Sequence, residues 1–115
     1  MKRNCKIYLQ DILDAFESIE NFLGEMTLAE FRDDDKTASA VIRKFEIIGE
    51  AAKQIPKEIR QKYSDIPWKE MAGMRDRLIH FYMGVDYELI WETITERIPE
   101  IRPLIKKIIE TYKLS

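Results

Sequence analysis

The segment that sets the fold class reads NCKIYLQDILDAFESIENFLG over residues 4–24. Its apolar residues recur at spacings of three and four, which places them on one face of an α-helix. They are Tyr8, Ile12, Phe16, Ile19 and Leu23. Gly24 follows as a predicted C-cap, because glycine readily adopts the left-handed conformation that ends many helices. The segment therefore predicts a long amphipathic first helix.

The region after this helix carries signals for a short turn and for a second long helix. Thr27 and Glu30 have the spacing of a capping box. The aspartates at 33–35 favour the positive N-terminal end of a helix, which then ends before Pro56. A metal site built on the three aspartates is the weaker alternative. The apolar face of this second helix comprises Val41, Phe45, Ile48, Ala52 and Ile55.

The second half of the chain predicts further helices separated by proline and glycine. A short helix opens at Pro56, and Pro67 opens a third long helix, loosened at Gly73, that continues to Met83. Asp86 is then expected to cap a fourth helix, and Pro99 and Pro103 to kink or divide the last stretch. No segment alternates like a half-buried strand. We therefore predict one all-α domain over residues 1–115, a bundle of four to five helices.

Composition limits the classes of function. The 115 residues are 45% apolar and 35% charged, with four glycines, which is typical of a helix-rich protein with a charged surface. The single cysteine cannot form an intramolecular disulfide, so we expect a reducing compartment. Neither a signal peptide nor a membrane span is readable, which predicts a soluble, cytoplasmic protein without membrane contact. The net charge of −2 argues against coating nucleic acid by bulk electrostatics.

The stretch with the most chemical character is MRDRLIHFYM, residues 74–83. On a helix its core stripe would comprise Met71, Met74, Leu78 and Phe81. A second arc mixes reactive polar groups with apolar side chains, namely Arg75, Asp76, His80 and Tyr82 with Ile79 and Met83. Such a surface indicates that another chain or a ligand covers it. The alternative is an ordinary helix of mixed charge.

Arg75 and His80 would lie about 140° apart on a straight helix. At that separation the two side chains are poorly placed to act on one substrate atom between them. Either the helix is deformed near Gly73, or two chains cooperate across a dimer interface. Cleaving RNA without a metal needs both a base and an acid, and imidazole suits both tasks at neutral pH. Two copies of His80 across a twofold axis would supply both, with the two Arg75 guanidinium groups gripping the phosphate. Asp76 either orients His80 or is an exposed partner one turn away.

These residues resemble a known family. Arg75-x4-His80-x-Tyr82 matches the R-x4-H-x-Y signature of the HepT toxins, which belong to the HEPN superfamily of helical nucleases. Residues 44–53, 66–75 and 84–86 are similar to the second, third and fourth helices of that family. The resemblance thus spans roughly residues 4–112, and the chain is identified as a HepT-like toxin of a toxin–antitoxin pair.

The resemblance implies a HEPN-type bundle that forms a homodimer with one cleft between paired motifs. It implies metal-independent endoribonuclease activity that leaves a 2′,3′-cyclic phosphate and needs no cofactor. Arg75 would bind and polarise the phosphate, and His80 would be the general acid and base. Tyr82 would accept AMP from a cognate nucleotidyltransferase antitoxin of the MntA type, which silences the toxin.

Two other functions compete with the ribonuclease. One is a non-catalytic, nucleotide-binding partner of a minimal nucleotidyltransferase, in which Arg75 and His80 hold a nucleotide phosphate. The other is a helical dimer that serves only as an interaction module.

Overall fold

Helices dominate the structure, a computed structural model that describes residues 3–80 and 84–113, with side chains for residues 5–79 and 84–112. In chain order the helices are α1 (Arg3–Leu23), α2 (Leu28–Arg32), α3 (Asp35–Lys53), α4 (Lys57–Lys62), α5 (Trp68–Ala72), α6 (Met74–Leu78), α7 (Tyr87–Glu92) and α8 (Ile98–Lys113). A π-helical turn (Thr93–Arg97) joins α7 to α8. Two short strands, β1 (Ile79–His80) and β2 (Gly84–Val85), lie between α6 and α7. The predicted all-α class is confirmed.

Side-chain caps begin the helices where the sequence predicts them. The Thr27 hydroxyl accepts from the Glu30 backbone N–H, and the Glu30 carboxylate accepts in return, which completes the capping box of α2. Asp34 accepts from the Thr37 backbone N–H at 2.9 Å and begins α3, so the aspartates at 33–35 mark a helix start as predicted. Asp86 caps α7 in the same way. Caps of this kind satisfy backbone donors that have no partner inside the helix.

The end of α1 also follows the prediction. Gly24 has φ of +54°, and its N–H donates to the Glu20 carbonyl at 2.9 Å. A residue with a Cβ atom is strained in this left-handed conformation, which explains why the helix ends at glycine.

The two prolines of the last stretch act differently from each other. Pro103 lies inside α8 without dividing it. Upstream of Pro99, five residues form a π-helical turn, and α7, this turn and α8 follow one another without a break. A proline has no N–H and crowds the preceding turn, and one wider turn accommodates it. Of the two alternatives, kinking or dividing, the structure rules out division, and the irregularity lies before Pro99.

The core lies around α3, which packs against α1 on one side and against α5 and α6 on the other, while α8 packs on α1. All predicted core positions of the second long helix are buried, although Ile55 lies just past the end of α3, and the first-helix stripe is buried except for half-buried Tyr8. The largest fully buried side chains include Phe16, Phe31, Phe45, Ile48, Met71 and Leu78. Burying such side chains provides the main driving force for folding. Within the described residues, no helix is long and apolar enough to cross a membrane.

Candidate active site

Gly73 separates two short helices at the predicted site. Its φ of −100° and ψ of 7° end α5, and α6 begins at Met74. Phe81 of the predicted core stripe lies outside the described residues, whereas Met74 and Leu78 are buried in the core, as that stripe requires. Because these two side chains fix one face of α6, Arg75, Asp76 and Arg77 are exposed on the other.

The helix does not continue to Met83, so that prediction was wrong. It ends at Leu78, and Ile79 is extended with φ of −118° and ψ of 123°. Ile79 then pairs with Val85 in an antiparallel ladder, and the Asp86 N–H donates to the Leu78 carbonyl at 3.0 Å. Two half-buried β-branched side chains favour such a pair, and Gly84 at φ of +82° supplies a conformation that other residues rarely adopt.

This change of backbone direction alters the geometry of the predicted site. His80 lies on β1, paired with Gly84, and not on the helix that carries Arg75. The separation of about 140° applied only to a continuous helix. The deformation lies after Leu78 and not only near Gly73. The side chain of His80 and all of Tyr82 lie outside the described residues, so their predicted roles stay predictions.

Arg75 is half exposed and contacts two carboxylates. Its Nε lies 3.5 Å from Oε1 of Glu46 on α3, and its Nη1 lies 3.5 Å from Oδ1 of Asp76. Both distances exceed the roughly 2.7–2.9 Å of a strong charge-assisted hydrogen bond. A guanidinium has five N–H donors. The two contacts therefore leave Arg75 able to bind an incoming phosphate.

Asp76 is placed beside Arg75, with 84% of its side chain exposed. The sequence left open whether it orients His80 or is an exposed partner. Its described contact is with Arg75, so the two residues form one charged pair at the start of α6. A role toward His80 stays a prediction.

A groove of about 310 Å³ runs between α3 and the α5–α6 segment. Its charged lining comprises Arg43, Glu46, Glu50, Lys53, Arg75 and Asp76. The four members on α3 were not among the site residues predicted from the sequence. Their spacings of three, four and three are those of one helix face, and this charged stripe was the available signal.

Gly49 determines how closely α3 approaches α5. A Cβ atom at this position would lie 3.0 Å from the Ala72 carbonyl oxygen and 3.5 Å from that of Met71. Such a contact is tighter than nine in ten real ones, so a side chain at this position would push the two backbones apart by a few tenths of an ångström. Gly49 and Ala72 both line the groove, so the two helices approach each other closely one turn from Glu46.

A second ionic cluster ties α5 and α6 to the π-helical turn. Glu70 accepts from Arg97 at 2.7 and 3.3 Å, and Arg77 lies 3.1 Å from the same carboxylate. The hydrogen bonds from Arg97 hold the pKa of the Glu70 carboxyl below its ordinary 4.5, with a smaller contribution from Arg77. The cluster thus links the two helices before the strand pair to the π-helical turn that follows it.

The fold and the site define a small helical bundle with a candidate phosphate-binding arginine, five residues before the only histidine of the chain. The chain belongs to the family described as ribonuclease HepT-like, whose model matches residues 12–108. The predicted family is confirmed, and with it the enzyme class, a ribonuclease.

Similar proteins cover nearly the whole chain. A protein of Methanocaldococcus jannaschii, named with RNase as its candidate activity, is 52% identical over 109 residues, which is 95% of this chain and 94% of the relative. A protein of Thermococcus cleftensis with the name probable ribonuclease HepT is 49% identical over 108 residues, 94% of this chain and 98% of the relative. No solved structure matches the chain significantly.

Proposed function

We propose that this ribonuclease is a metal-independent endoribonuclease that serves as the toxin of a toxin–antitoxin pair in the cytoplasm. The observation that carries the proposal is the placement of Arg75, half exposed at a polar groove with long contacts to both of its carboxylate neighbours. Membership in the HepT-like family supports the same reaction class.

In the proposed reaction the RNA 2′-oxygen attacks the adjacent phosphorus. A base takes the 2′-hydroxyl proton, the bond from phosphorus to the 5′-oxygen breaks, and an acid protonates that oxygen. The product is a 2′,3′-cyclic phosphate. Arg75 binds the phosphate and stabilises the charge that develops on its oxygens, and His80 transfers the protons.

The proposed active form is a homodimer. One histidine per chain does not readily serve as base and acid in one turnover, whereas two copies of His80 at one cleft do. Asp76 is included in this proposal as a supporting residue, since it lies beside Arg75 on α6.

The proposed regulation is covalent. A nucleotidyltransferase antitoxin of the MntA type would add AMP to the Tyr82 hydroxyl. A bulky anion beside the cleft would block the RNA and repel its phosphates.

The test is RNA cleavage by purified, AMP-free protein in excess EDTA, with Arg75→Ala and His80→Ala beside the parent. Arg77→Ala is the matched control, because Arg77 is an exposed arginine of the same helix that pairs with Glu70 outside the groove. We expect the parent and Arg77→Ala to leave cyclic-phosphate ends. Arg75→Ala and His80→Ala should lose at least about 100-fold in rate, the scale of a removed acid–base or oxyanion contact.

Failure of a dimeric, AMP-free parent to cleave RNA would refute this proposal. Saturable binding of a nucleotide under those conditions would instead support the nucleotide-binding partner. Equal losses in Arg75→Ala and Arg77→Ala would show that positive charge on α6 matters and not the specific position of Arg75.

A further inference from the structure

We propose that Glu46 is a positioning residue that orients the Arg75 guanidinium for RNA cleavage, an inference that rests on the proposed ribonuclease function. Glu46 belongs to α3, and its Oε1 lies 3.5 Å from Arg75 Nε. It is the neighbouring helix, and not α6 itself, that supplies this contact. Both side chains keep part of their surface exposed, 36% for Glu46 and 49% for Arg75.

Glu46 stands on a longer helix than the arginine it contacts. Its second oxygen lies 3.7 Å from Arg43 one turn earlier on α3. Helix α3 has 19 residues, whereas Arg75 stands on a helix of five. The close approach at Gly49 fixes α3 against α5 one turn from Glu46. The carboxylate therefore approaches Arg75 from a long helix whose backbone is packed against α5.

The arrangement orients the guanidinium while leaving it able to bind. Glu46 approaches Nε from α3, and Asp76 approaches Nη1 from α6. Because the guanidinium is planar, contacts at two of its nitrogens fix the direction of the plane. A phosphate can then form short contacts with the donors that these two carboxylates do not hold tightly.

The charge of Glu46 would affect KM and kcat differently if it positions Arg75 than if it only lines the groove. The charged lining of the groove is balanced, with Arg43, Lys53 and Arg75 against Glu46, Glu50 and Asp76. A carboxylate close to a bound RNA repels its phosphates, so a Glu46 that only occupied the groove would weaken substrate binding. Removing its charge would then lower KM and leave kcat unchanged. A positioning residue gives the opposite pattern, because lost orientation reduces the rate of the chemical step.

Glu46→Gln and Glu50→Gln form the matched pair for the test. Glu50 lines the same groove one turn further along α3, but it pairs with Lys53 at 3.3 Å and not with Arg75. Each variant removes one negative charge and keeps the side-chain size. We expect Glu46→Gln to lower kcat about tenfold, a fraction of the roughly 100-fold that misplacement by an ångström can cause, without raising KM. Glu50→Gln also removes a negative charge from the groove, so it should lower KM if anything, but it should leave kcat within about twofold of the parent because Glu50 does not contact Arg75.

A second readout is independent of cleavage. In uniformly ¹⁵N-labelled protein, the Nε–Hε signal of Arg75 is assigned by its loss in Arg75→Lys. We expect this signal to shift in Glu46→Gln and to stay in place in Glu50→Gln. Unfolding midpoints of both variants within a few degrees of the parent would exclude a general loss of structure.

The outcomes distinguish this inference from the proposal on which it rests. Equal kcat values for the two variants, or an unmoved Arg75 signal in Glu46→Gln, would overturn the positioning role while cleavage by the parent still stood. A parent that cleaves no RNA would instead refute the ribonuclease assignment itself, and the role of Glu46 in that reaction would fall with it.

Discussion

Replacing Gly49 with alanine tests whether the approach of α3 to α5 is set by this one residue. The added Cβ atom would lie 3.0 Å from the Ala72 carbonyl oxygen, which is tighter than nine in ten real contacts of such atoms. The obstacle is backbone, so no side chain can rotate away from it. The two helices must therefore separate by a few tenths of an ångström.

The expected magnitude combines two opposing effects. Overpacking of a tight contact costs about 1–3 kcal/mol. Alanine in a helix interior recovers about 1 kcal/mol relative to glycine. We expect a net loss of about 1 kcal/mol in the free energy of unfolding, or a midpoint lower by about 4 °C. Separation of α3 from α5 also lengthens the contact between Glu46 and Arg75, so cleavage should slow as well.

The assay is denaturation by guanidinium chloride followed by far-ultraviolet circular dichroism, with Gly73→Ala as the matched control. A Cβ atom at Gly73 would meet its nearest neighbour at 3.7 Å, an ordinary contact, and the φ of −100° suits alanine. We expect Gly73→Ala to stay within about 0.5 kcal/mol of the parent. A Gly49→Ala protein as stable as Gly73→Ala, or more stable than the parent, would refute the reasoning.

Three further changes probe other parts of the fold. Glu70→Gln removes the charge that Arg97 contacts and should cost up to about 1 kcal/mol at neutral pH. The lowered pKa of Glu70 stabilises the protein above the ordinary value of 4.5 and loses this effect as the pH falls through the folded-state pKa, so urea titrations should show a shallower acid loss in Glu70→Gln. Thr27→Ala removes the cap that pairs with Glu30 and should cost about 1 kcal/mol. Trp68→Phe loses an indole hydrogen bond of 3.1 Å to a backbone carbonyl and should cost about 1–3 kcal/mol.

Each of these has an outcome that contradicts it. Parallel pH profiles for Glu70→Gln and the parent would show that this carboxylate does not contribute to acid stability. Thr27→Ser, which keeps the hydroxyl, should retain most of the stability that Thr27→Ala loses, and equal losses would argue against the capping box. A Trp68→Phe protein as stable as the parent would mean that the indole hydrogen bond adds nothing to packing.

The sequence by itself determined the helical class and most helix starts. The periodic apolar residues of α1 and α3 indicate which face of each helix is buried, and this pattern lies within the helix segment itself. The caps at Thr27, Asp34 and Asp86 are also local, because each side chain satisfies a backbone N–H three residues later. The motif at Arg75 and His80 was readable as well, since it is contiguous in the chain.

Only the tertiary structure decided where α6 ends. Nothing in the periodicity of residues 74–83 separates a helix of ten residues from a helix of five followed by a strand. The choice depends on Val85 and Gly84, which lie beyond the segment and pair with Ile79 and His80. The spacing of apolar residues within 74–83 does not show this pairing, because the stability of a strand depends on its cross-strand neighbours as well as on its own residues.

The groove beside Arg75 required the tertiary structure for the same reason. Glu46 and Arg75 are 29 positions apart in the sequence, and their contact exists because α3 packs on α5 and α6. The close approach within that packing uses the absence of a side chain at Gly49, which in the sequence is only a glycine inside a helix. The sequence thus determined which residues carry reactive groups, whereas helix packing decided which of them meet, because contacts between distant segments form only when the core closes.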